Sequence, residues 1–227
     1  MTIRSTAVDI ESLGNPENSG YGVVVPNFAF VTIPDFMQSE LEYLYVQMPV
    51  QEQLDVGLKV GASTLDFWHN ECARNFPGAH DEMTKSYSLK ETKYFSNYKF
   101  AGMMSMHCTN IPHLIRLFTT ANDTQTPHVY GNGCHFDCSI LQENSRVQFG
   151  DADLWPYAAP QNARTLKNLL NTKNREDMDS AVRVALCQFV ESLPVEIQDN
   201  MQLHHPLYDA AREALQISYC LALKKDY

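Results

Sequence analysis

The sequence predicts an α/β fold, and three observations lead there. Strand-like apolar stretches fill much of the first fifty residues, apolar positions at helical spacing take over further on, and one late stretch, 178–193, is amphipathic throughout. With 227 residues and 44% hydrophobic content, the chain is large for one domain but still able to bury a substantial core. A single domain spanning 1–227 is the expectation.

The first strand is expected where Ile3, Ala7, Val8 and Ile10 lead through Val8-Asp9-Ile10-Glu11-Ser12-Leu13-Gly14. Residues two apart on a strand share a face, so Asp9 and Glu11 project together. Like charges held that close repel, and a divalent cation between them relieves the repulsion. Read alone, the same pattern also fits a strand end with incidental acids feeding the polar turn 12–20.

Residues 21–33 read as a second strand with Pro26 at an edge or bulge, and 41–48 as a third, giving an antiparallel meander. Ser63 is expected to cap a helix whose Leu65, Trp68, Cys72 and Phe76 recur at helical spacing, with Trp68 read as core ahead of ligand contact. Residues 77–108 interleave Tyr87, Tyr94 and Tyr98 with Lys85, Lys90, Lys93 and Lys99. That mixture suits stacking and charge on a single strand, or equally an ordinary solvated surface.

Ile111, Leu114, Ile115 and Phe118 mark a helix with Pro112 in its first turn. In 128–141, HVYGNGCHFDCSIL, a short strand ends in a Gly-Asn-Gly turn and a helix begins near Asp137. Sheet proteins build sites at such strand-to-helix junctions, although an N-cap role also accounts for an aspartate there. A further strand over 151–155 and a helix over 164–170 follow, then the amphipathic helix 178–193, closed by Pro194. Pro206 opens the last helix, which carries Asp209 to about Leu223, and His204 lies in the loop five residues before that aspartate. The two side chains either face one site or, separately, serve the helix dipole.

The six cysteines form no C-x-x-C pair, which favours reduced, largely buried thiols. Cys134 and Cys138 with His135 lack a second pair to complete a soft tetrahedral site. A net charge of -10 and a pI near 5.2 argue against a passive nucleic-acid binder, whose affinity comes from Lys and Arg on phosphates. An enzyme that meets phosphate through bound cations escapes that objection. No run of ~18 apolar residues and no leader pattern is found, so the expectation is a soluble chain with no membrane partner, in the cytoplasm, the host cell's if virally encoded.

Taken in order, the three acidic stretches resemble the motifs of the DEDDh 3′–5′ exonucleases, particularly the RNase T-like and phage-type members. VDIESLG is similar to the first motif, YGNGCHFDCSIL to the second and HHPLYDAAREA to the third, so the resemblance runs from Asp9 to Leu215. STLDFW and RTLKNLL look like less specific family positions. The resemblance implies an RNase H-like fold, a five-stranded mixed sheet flanked by helices. It also implies that Asp9, Glu11, Asp137 and Asp209 hold two divalent cations, Mg2+ or Mn2+, with His204 rather than His205 as general base.

The substrate it implies is the 3′ end of single-stranded DNA or RNA, or a 3′ overhang, and a homodimer is the implied assembly. Ser12 and Leu13 would border the terminal nucleotide, Leu13 as a wedge against its base. Asn132, Phe136 and Trp68 are further substrate-contact candidates, with Phe136 read more readily as packing under the sheet. Two departures stand out: family members often carry a small residue where this chain has Pro206, and 77–108 has no clear counterpart.

The chemistry follows without the family. Cutting a phosphodiester needs a deprotonated water and neutralisation of the charge building on the phosphate and leaving oxygens. Two cations ~4 Å apart on hard carboxylates supply both. A histidine adds a proton acceptor effective near neutral pH. The competing readings are a catalytically idle RNase H-like binding or assembly module and a metal-dependent phosphohydrolase of other specificity.

Overall fold

The computed structural model describes residues 5–35, 40–98, 110–120 and 127–225. Its centre is a six-stranded mixed sheet built from β1 (Ser5–Glu11), β2 (Asn27–Thr32), β3 (Tyr43–Gln47), β4 (Lys93–Ser96), β5 (His128–Gly131) and β6 (Pro160–Asn162), in the order β4-β3-β2-β1-β5-β6. The first four strands form an antiparallel meander, and β5 and β6 join parallel on the other side of β1.

Alternation along the strands sends side chains to two cores. Ala7, Ala29, Val31, Tyr43 and Tyr45 face one side, where the helices α6 (Thr172–Ser192) and α7 (Pro206–Lys225) supply Val182, Phe189, Leu207 and Ala211. Val8, Ile10, Phe28, Phe30, Leu44 and Val46 face the other, covered by α3 (Ile111–Thr120) and α4 (Cys134–Phe149) through Leu114, Phe118, Ile140 and Leu141. A smaller core joins Leu13, Val24, Trp68, Cys72 and Met83 beneath α1 (Ala62–Asp66), its π-helical continuation Phe67–Cys72, and α2 (Pro77–Lys85). The short helix α5 (Ala163–Asn168) follows β6 directly.

The meander, the mid-chain strand and the amphipathic helices lie where the sequence puts them, but several local expectations need correcting. The sheet has six strands rather than five, because β4 arises within 77–108, where the sequence showed no strand alternation. Residues 151–155 are not a strand. Asp151 is held by Arg116 at 2.8 Å and by the amide of Asp153 at 3.1 Å, and the added strand is 160–162.

The second strand begins only at Asn27. The amide of Val25 donates to Gln53 Oε1 at 2.8 Å, which takes the chain before Pro26 out of the ladder. Ser63 is not a cap: α1 begins at Ala62 with Gly61 in the N-cap position. The aromatic and basic residues of 77–108 disperse as well. Lys85 pairs with Glu82, Tyr94 and Tyr98 pack against the core, and Lys99 lies outside the described residues. Among the described residues no helix is long and apolar enough to cross a membrane.

Candidate active site

The site lies at the carboxyl ends of the parallel strands β1 and β5, where the strand order changes direction and sheet proteins leave a crevice. An open cleft of about 420 Å³ there is lined by Asp9, Glu11, Asp137, His204 and Asp209, with Asn132, His135, Phe136 and Arg164 around it. Residues from three distant stretches of chain therefore meet at one place.

Each side chain is positioned by local structure. Asp9 and Glu11 sit two apart on β1 and reach the same cleft, as strand alternation requires. Asp137 lies in the first turn of α4, whose N-cap is Gly133. Amides of Gly133, Asp137 and Ile10 bond its carboxylate, so it also takes up a β1 amide beyond the paired part of β5. Gly131 makes room for it: a Cβ at that glycine would stand 2.7 Å from Asp137 Oδ2. Asp209 is in the first turn of α7, and the amide of His204 donates to its Oδ2 at 2.8 Å.

His204 holds a left-handed backbone with φ 67°, uncommon for a residue with a side chain. Its ring is bounded by Phe76, Phe67 and Trp68 at centroid distances of 4.8, 5.4 and 6.5 Å. His205 faces elsewhere, fully buried with its ring 5.0 Å from that of Tyr45.

The electrostatics are those of an acid cluster short of positive charge. Burial, then Glu11, Asp209 and Asp137, push Asp9 well above the usual carboxylate range, and burial with Asp209 and Asp137 does the same to Glu11. Asp137 rises to about 7, from burial and Glu213 against the pull of its three amides. Asp209 is raised by burial in spite of Arg212 and the His204 amide. Its Oδ1 lies 3.0 Å from Arg212 Nη2 but without hydrogen-bond geometry, leaving that buried oxygen without a hydrogen bond.

These donors fit a divalent cation. Glu11, His204 and Asp209 each offer a ligand atom, all within 4.8 Å of one another, and hard carboxylate oxygens suit Mg2+ or Mn2+. Asp9 and Asp137 line the same cleft outside that closest triad. Among the described residues Cys134, Cys138 and His135 form no comparable group.

The substrate-contact candidates divide. Asn132 and Phe136 line the cleft. Phe136 does not pack under the sheet but is 38% exposed at the cleft. Leu13 and Trp68 are buried in the smaller core, so Leu13 offers no surface for a wedge, and Trp68 Nε1 instead donates to the Ser12 carbonyl at 3.1 Å. The Ser12 hydroxyl is buried too, donating to the Gly14 carbonyl at 2.9 Å.

Sequence reasoning missed Glu213, Lys167 and Arg164. Glu213 lies one turn beyond Asp209 on the same side of α7, a spacing of four that was there to be read. It is buried, and Lys167 Nζ reaches it at 3.1 Å from α5, a pairing that no local pattern announces. No protein-family model and no curated protein matches the chain.

Proposed function

We propose that the protein is a metal-dependent 3′–5′ exonuclease of the RNase H-like superfamily, acting on single-stranded DNA or RNA or on 3′ overhangs. The observation that carries this reading is the convergence of Asp9, Glu11, Asp137, Asp209 and His204 on one cleft that is too acidic to be self-sufficient. Strands β3, β2, β1, β5 and β6 taken together are a five-stranded mixed sheet with helices on both faces, which agrees with such a fold.

In this mechanism Glu11 and Asp209, with Asp9 and Asp137 beside them, would hold the cations. When bound, divalent cations supply water activation and neutralise charge on the phosphate oxygens. His204, confined by three rings, accepts a proton from the attacking water. Attack forms a bond from water oxygen to phosphorus and breaks the bond from phosphorus to the 3′-oxygen, which takes a proton from solvent, releasing a nucleoside 5′-monophosphate and a chain one residue shorter with a 3′-hydroxyl. The His204 amide and Arg212 steady Asp209, and the Asp137 amides fix its carboxylate.

The test is incubation with Mn2+ and 5′-labelled DNA and RNA oligonucleotides. A ladder shortening from the 3′ end is the expected result. Intact substrate would leave the binding-module reading, and cleavage confined to other phosphoesters would leave the phosphohydrolase reading.

A further inference from the structure

Three cations stand at or beside the cleft, and they are not equivalent. Lys167 Nζ is fully engaged, with Asn132 Oδ1 at 3.0 Å, Glu213 Oε1 at 3.1 Å and Gln216 Oε1 at 3.2 Å. Arg212 stands 3.0 Å from Asp209 Oδ1. Arg164 lines the same cleft, is exposed, and has no ion-pair partner among the described residues, although four carboxylates line the cavity with it. It lies one turn before Lys167 on the same side of α5. One cation of that side is thus spent on holding α5 to α7, and the other is left unspent.

A guanidinium that lines an acidic cleft without pairing to it is available to an anion arriving from outside. The chain's net charge of -10 makes such a group valuable, since an approaching polyanion is repelled by most of the surface. We propose that Arg164 binds a phosphodiester of the substrate on the 5′ side of the bond that is cut. This rests on the exonuclease reading. With the scissile phosphate at the carboxylates and the last nucleotide beyond it, every further phosphate lies 5′. A planar guanidinium matches two phosphate oxygens at once, which lysine does not. Arg164 then selects a chain over a mononucleotide, because a mononucleotide has no second phosphate to offer.

The experiment measures binding of a fluorescent single-stranded oligonucleotide in Ca2+ by anisotropy, with the linkages next to the 3′-terminal one either phosphodiester or uncharged methylphosphonate. Wild type is expected to bind the uncharged version roughly tenfold more weakly, the scale of one charge-assisted contact. Arg164→Ala should bind both versions with the weakened affinity, show a salt dependence shallower by about one ion, and be restored in part by Arg164→Lys. Equal preference for the charged linkage in wild type and Arg164→Ala would overturn the assignment, as would an unchanged affinity. Cleavage of the same oligonucleotides in Mn2+ reads the parent proposal separately. Shortening that ignores Arg164 and the linkage sinks this inference alone, whereas linkage-dependent binding without shortening makes Arg164 a phosphate contact in a cleft that does not cut, and overturns both proposals.

Discussion

The adjacent residues His204 and His205 look into two buried acidic regions that the fold treats in opposite ways. On the His205 side stands Glu82, whose carboxylate accepts from Tyr45 at 2.7 Å, Asn200 at 2.7 Å, Gln47 at 2.5 Å and Lys85 at 2.5 Å. Burial alone would raise Glu82, but Lys85, Tyr45, His205 and Asn200 hold it below its ordinary value. On the His204 side the cleft carboxylates are raised, and oxygens of Asp209 and Glu213 are buried without a hydrogen bond. The same chain can therefore satisfy a buried carboxylate completely, and at the cleft it does not. What is missing there is positive charge, which under the proposed function a divalent cation would supply.

Removing a carboxylate should break the comparison most completely at the cleft. Asp9→Ala should abolish both metal binding and cleavage, checked by calorimetric Mn2+ titration beside the oligonucleotide assay; a variant that still binds metal as wild type does would end the assignment. His204→Ala should lose 10^2- to 10^4-fold in rate, the range for a lost proton acceptor. Its Mn2+ affinity, measured in the same titration, should be preserved if the imidazole acts on water and lowered if it completes the triad with Glu11 and Asp209.

The Glu82 network should respond through stability instead. Glu82→Ala strands Tyr45, Gln47 and Asn200 without their acceptor and should cost about 3 kcal/mol in urea unfolding, with metal binding intact. At the cleft the sign reverses: Asp137→Asn should stabilise the metal-free protein by about 1 kcal/mol at pH 8, because burial and Glu213 disfavour its charge by more than the backbone amides favour it.

The two regions also have opposite pH dependence. Cleft groups raised above their unfolded values contribute stability that is present below about pH 4 and lost as pH rises, through about 7 for Asp137. His205, lowered to about 4 chiefly by burial, contributes stability present above about pH 6.5 and lost as pH falls toward 4. The rise in melting temperature on adding Mn2+ should therefore grow between pH 5 and 8, and Asp137→Asn should flatten that growth. A metal-induced shift independent of pH would contradict the account.

Much of the site could be read before the fold was known, because its signals are local. Alternation puts Asp9 and Glu11 on one face, a Gly-Asn-Gly turn marks the strand end before Asp137, and Pro206 announces the helix that carries Asp209. The choice of His204 over His205 rested on spacing, and the structure places only His204 at the cleft.

Other features depend on contacts between distant residues, for which no periodicity exists. A hydrophobic leucine after Glu11 serves as well in a core as on a base, and only packing beside Trp68 and Cys72 buries Leu13. The strand at 160–162 is three residues long and carries no alternation to detect. Lys167 meets Glu213 across 46 positions of sequence, while Arg164, one turn earlier, lines the cleft with no ion-pair partner among the described residues. Sequence alone determined which acids and which histidine belong together and which strand and helices hold them, since those follow from the order of neighbours along the chain. Tertiary structure decided which charges are satisfied, because neutralisation depends on distances that only packing sets.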